Sequence, residues 1–138
     1  MDFKIRQKRL KKLVLEKSKQ VQEELMGFET KETSLITLET LRSLNLFEWH
    51  VSKDKKVRYC LIGITKDVAE FLTVMQEGGE FGMQEHDCIE IGVVLDGHLI
   101  DVENDLLINK FEDWLYKEHQ EHAPKSNLRS IYLVKFKK

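Results

Sequence analysis

Residues 78–97 read GGEFGMQEHDCIEIGVVLDG, and the spacing inside this stretch governs the reading of the whole chain. Gly78 is followed after five residues by Gln84, after one more by His86, after three by Glu90 and after six by Gly97. In extended backbone alternate side chains share a face, so Gln84 and His86 point together. His86 and Glu90 also have the same parity, yet in one unbroken strand they would stand roughly 13 Å apart at about 3.3 Å per residue. Ligands of one metal ion cannot be so distant. The chain is therefore expected to bend between them, with Asp87 and Cys88 ending one strand and starting the next.

After Glu90 the run IGVVL is strongly strand-forming, and Asp96-Gly97 reads as a two-residue hairpin turn ahead of His98 to Val102. The face that carries Glu90 continues with Gly92 and Val94, so the carboxylate projects from an apolar surface. That is costly unless the group is paired or bound to a cation. The opposite face carries Ile91, Val93 and Leu95, which makes the strand apolar on both sides and calls for cover by a second sheet or another subunit. A second histidine, His122 in KEHQEHAPKSN, follows more strand-like sequence and can complete a site with Gln84, His86 and Glu90.

These residues resemble the cupin family. Its first motif runs Gly, five residues, His, one residue, His, three or four residues, Glu, six residues, Gly, and here Gln84 replaces the first His while every other position matches. The second motif carries Gly, Pro and Gly ahead of a metal-binding His; Phe111 to His122 keeps only the His and the approximate length. The resemblance covers about residues 57 to 136 and implies an all-β fold, the cupin jelly-roll β-barrel. It further implies that His86, Glu90 and His122 are metal ligands, with Gln84 a weaker fourth through its amide oxygen, for a divalent ion such as Fe, Zn, Ni or Mn. Cupins commonly pair through their sheets, so a homodimer is expected as well.

The rest of the chain agrees. Strand candidates VRYCLIGI, VAEFLTVM, CIEIGVVL, HLIDV, FEDWLY and SIYLVKF follow from Val57 onward, separated by Lys-Asp, Gly-Gly, Asp-Gly and Asn-Asp turn signals. Before them, SLITLETLRSLNLFEW suits a short helix or a first strand, and periodicity does not choose. Residues 1–33 form a separate N-terminal segment in which Leu10, Val14, Val21, Leu25 and Phe28 recur at the spacing of an amphipathic helix; residues 34–138 make the barrel domain.

Composition narrows the class without identifying it. The 138 residues suffice for one domain with a real core, and one Pro and seven Gly exclude collagen-like and low-complexity chains. Cys60 and Cys88 are too few for a secreted disulfide scaffold, DFKIRQKRLKK lacks an apolar signal core, and no window is long and apolar enough to span a bilayer. A cytoplasmic location is the resulting expectation. Residues 1–24 carry eight Lys or Arg against four Asp or Glu, a net of +4, and the remainder carries −6. The basic helix is read as a solvated face packed on its own barrel; nucleic acid is the weaker reading, since no aromatic beyond Phe3 interleaves with the basic run.

Other residues are assigned plainer roles. Cys88 is read as a small buried hydrophobe, His119 as a rim residue with substitution for His122 as the alternative, and Trp114, Tyr116 and Phe71 as core or pocket wall. Two functions remain open. Two His and one carboxylate form the ligand set of mononuclear Fe(II) oxygenases, which points to a small metal-dependent oxygenase or isomerase. No further acid, base or nucleophile stands out, and the reading preferred here is a non-catalytic module that binds a metal and a small ligand, or senses them, because the degenerate second motif and the replaced His point to relaxed catalytic demands.

Overall fold

The structure, a computed structural model, describes residues 33–138. The amphipathic helix expected from Leu10 to Phe28 lies outside the described residues. Among these the chain forms, in order, β1 (Ser34–Leu35), α1 (Leu38–Arg42), β2 (Trp49–Val51), β3 (Val57–Thr65), β4 (Val68–Met75), β5 (Gln84–Glu85), β6 (Ile89–Asp96), β7 (His98–Asp101), β8 (Leu106–Asn109), β9 (Asp113–Tyr116) and β10 (Ser130–Lys137). SLITLETLRSLNLFEW thus holds β1 and the helix and ends on the first residue of β2. Thr37 caps that helix by accepting from the Thr40 N–H, as a β-hydroxyl does at a helix start.

Two layers enclose the core. The larger is a six-stranded sheet in the order β2-β3-β4-β10-β6-β9, antiparallel throughout. The smaller consists of the antiparallel pair β7-β8 and the parallel pair β1-β5. Bridges from Ile100 to Lys125 and from Gln84 to His122 stitch these two ribbons together through residues 122–125. The result is an all-β jelly roll.

Strand parity determines what faces the interior. On β10, Ser130, Tyr132, Val134 and Phe136 are buried, whereas Lys135 and Lys137 are exposed. On β6, Glu90, Gly92 and Val94 are buried while Ile91 and Leu95 lie open on the outer face. The inward set joins Leu41, Tyr59, Leu61, Phe71, Leu99 and Trp114 in one apolar cluster. Each large aliphatic side chain so enclosed contributes roughly 1.5–3 kcal/mol of transfer free energy.

One expectation is overturned. Asp96-Gly97 does not close a hairpin, because β6 pairs with β10 and β9 whereas β7 pairs with β8 in the other layer. Gly97 is instead a corner where the chain changes sheet. Its φ of 75° is one that L side chains rarely adopt, and a Cβ there would stand 2.2 Å from Ser130 Oγ.

Candidate metal centre

Strands β5 and β6, the turn between them and the bridge residue His122 deliver the site. Gln84 lies in β5, and its backbone exchanges two 2.9 Å hydrogen bonds with His122, which places these residues opposite one another. The chain leaves β5 at His86 and turns at Asp87 and Cys88, where Asp87 Oδ1 accepts the Leu38 N–H of α1 at 2.8 Å. It re-enters the large sheet at β6 with Glu90 as the second residue. The expected bend is therefore present. His86 Nε2 and His122 Nε2 each stand 3.3 Å from Glu90 Oε1. One ligand atom from each of the three residues lies within 4.8 Å of the others, with all three side chains buried.

The tautomers are set from outside the cluster. His86 Nδ1 lies 2.8 Å from the Ile36 carbonyl and His122 Nδ1 2.8 Å from the Gln120 carbonyl. A carbonyl can only accept, so each Nδ1 carries the proton and each Nε2 turns toward Glu90. That is how metal-binding imidazoles are oriented. Glu90 Oε2 accepts the Trp114 indole N–H at 2.8 Å, which leaves Oε1 facing the histidines. Tyr116 stacks on His122 at a centroid separation of 4.1 Å and donates to the buried Asp101.

Burial pushes the Glu90 carboxyl upward, but the charge of His122 and the short contacts from both imidazoles more than reverse this, holding it well below the usual carboxylate range. Burial draws His122 down, while Glu90, the Gln120 carbonyl and Asp101 push it up, and the upward effects win. Cys88 behaves as a buried apolar group: burial, then the Asp87 and Glu90 charges, push its thiol up to about 12. His119 is an exposed rim residue whose Nδ1 is 3.1 Å from Glu85 Oε1, outside the cluster.

No family model and no curated protein sequence matches the chain. Solved structures do. An RmlC-like cupin from Shewanella frigidimarina superposes with a TM-score of 0.58 at 13% identity, covering 66% of this chain and 83% of that one. The fold is that of a cupin. An acetylacetone dioxygenase from Acinetobacter johnsonii aligns with a TM-score of 0.57 at 9% identity over 64% of this chain and 67% of that chain. The Rhodobacter sphaeroides complex of SigE with the anti-sigma ChrR contains a chain aligning at 0.57 and 18% identity over 64% of this chain, which spans 48% of the length of that one.

Beside the cluster the cupin barrel holds a cavity of about 50 Å³, lined by Gln84, Glu90, Tyr59, Trp114, Phe71 and Phe136 among others. Gln84 Oε1 and the Tyr59 hydroxyl are buried there without a hydrogen-bond partner. Each such group costs about 1–3 kcal/mol if left unsatisfied, which is the signature of an interior shaped to hold something polar. The two imidazole Nε2 atoms are likewise without hydrogen-bond partners. These donors fit a divalent ion: two neutral imidazoles, one carboxylate and one amide oxygen.

Sequence reasoning missed the groups that orient the donors. The Ile36 and Gln120 carbonyls are backbone atoms and leave no signature in residue type. The Trp114 bond to Glu90 was within reach, since Trp114 and Tyr116 share the inward parity of β9, but those residues were read only as wall.

Proposed function

We propose that this cupin binds one divalent metal ion through His86 Nε2, His122 Nε2 and Glu90, with Gln84 Oε1 as a weaker fourth donor, and presents it to a small ligand in the adjoining cavity. The observation that carries this reading is the convergence of both Nε2 atoms on Glu90 Oε1 in the tautomer a metal requires. Iron, zinc, nickel and manganese all accept such donors. A binding or sensing role is favoured over catalysis because two of the titratable side chains at the cavity are already committed: Glu90 to the imidazoles and Trp114, and Tyr132 to the His98 carbonyl. Burial also raises Tyr59 too far for it to serve as a base.

The likeness to a chain of the SigE–ChrR complex supports a module that reports ligand state to a partner. The donor set itself favours the second reading, a metal-dependent oxygenase or isomerase, and the dioxygenase neighbour supports that too. The ion, when bound, would supply Lewis-acid or redox chemistry at its open positions. We further assign a cytoplasmic location, which suits two free buried thiols, and a homodimeric state. No helix among the described residues is long and apolar enough to cross a membrane.

Elemental analysis of protein purified without chelator or affinity-tag metal tests the centre. His86→Ala should lower occupancy by about an order of magnitude or more, and Gln84→His should raise it, since imidazole is the stronger donor. A folded His86→Ala protein with full metal stoichiometry would refute the assignment. Iron as the resident metal would raise the oxygenase reading above the binding one.

A further inference from the structure

Among the described residues that line the cavity, Tyr59 carries a hydroxyl that neither the fold nor the proposed centre uses. The residue is 2% exposed, its hydroxyl is buried without a partner, and it lines the same cavity as Gln84 and Glu90. Its ring is not loosely placed. It stacks on His50 at 5.3 Å and meets Phe71 edge-on at 6.1 Å, so neighbours on β2 and β4 hold it. The other two buried phenols are satisfied, Tyr116 by Asp101 and Tyr132 by the His98 carbonyl. Burial keeps the Tyr59 proton in place, which makes the group a donor.

The cavity narrows what that donor could meet. About 50 Å³ is room for roughly four waters, and hence for a ligand of about four or five non-hydrogen atoms. Most of the lining is apolar, and none of the described residues around it is Lys or Arg. A divalent ion held by one carboxylate and neutral donors leaves a net positive centre, which favours an anionic oxygen. We propose that Tyr59 is a specificity-determining residue for a short-chain carboxylate, donating its hydroxyl to the ligand oxygen while the alkyl end packs on the apolar wall. This rests on the metal-binding reading, because the ion supplies the positive charge.

The test uses zinc-loaded full-length protein titrated with propionate by calorimetry, with zinc content measured alongside. Tyr59→Phe keeps the ring and removes only the unpartnered hydroxyl. The variant should retain its zinc, melt at or above the wild-type temperature, and bind propionate about tenfold or more weakly, as expected for loss of one hydrogen bond to a charged group. Equal propionate affinity in the two proteins, no propionate binding by zinc-loaded wild type, or a lowered melting temperature showing that the hydroxyl serves the fold would each overturn the assignment. Failure of wild type to hold zinc would instead remove the metal-binding reading and this inference with it. Zinc retained with propionate affinity unchanged by Tyr59→Phe would remove the inference alone.

Discussion

Glu90 stands against two imidazoles and an indole, and binding of the proposed ion would change the protonation of His122 beside it. Without metal, the Glu90 carboxyl is depressed from 4.5 and His122 is raised from 6.5. The contribution of Glu90 is complete above its ordinary value and is lost as pH falls through the depressed one. That of His122 is complete below 6.5 and is lost as pH rises through its raised value. Chelated protein should therefore be most stable at roughly pH 5 to 6.5. A metal requires neutral His122, so loading should stabilise more as pH rises. Melting curves with EDTA and with zinc should diverge between pH 6 and pH 8; a constant gap would show that the ion displaces no proton. The convergence of His86, Glu90 and His122 was legible in sequence, the first two through their close spacing and His122 through the family resemblance. Tyr59 was not, because strand parity says that a side chain points inward and not whether its hydroxyl finds a partner there.

At the level of elements, Gly92 decides how β6 meets β9. A Cβ at Gly92 would lie 2.0 Å from Trp114 Cζ2, so the indole occupies the space a side chain would need. Gly92→Ala should push Trp114 aside, break its bond to Glu90 and cost about 1–3 kcal/mol by overpacking. Thermal unfolding with tryptophan fluorescence as the probe would show both effects, and an unchanged melting temperature would contradict the proposed packing. The long strands were legible because β3, β4, β6 and β10 run eight or nine residues with apolar faces. β1 and β5 span two residues each, too few for any periodicity, and exist through their pairing with each other. Asp96-Gly97 was misread for a related reason. A left-handed glycine serves a hairpin and a corner equally, and only the distant partners of β6 and β7 distinguish them.

At the scale of the whole molecule, the described residues carry an apolar strip on the outer face of the large sheet. Ile91 and Leu115 are cross-strand partners at 39% and 53% exposure, Leu95 lies along the same strand, and β9 is the edge of the sheet. Burial of this strip against a second copy is the expected solution, and light scattering at tens of micromolar should report a dimer; a monomer would count against it. A different consequence follows from β1, which lies across β5 while the Ile36 carbonyl holds His86 from fifty residues away in sequence. Ser34 and Ile36 donate to the Met83 and Glu85 carbonyls, so this segment latches the chain beside the centre. Loading with zinc should slow hydrogen exchange at the Ser34 and Ile36 amides, and equal rates in loaded and chelated protein would show that latch and centre are uncoupled. Linkage makes the effect reciprocal: anything that restrains residues 34–36 must tighten metal binding by the same factor by which the ion restrains them.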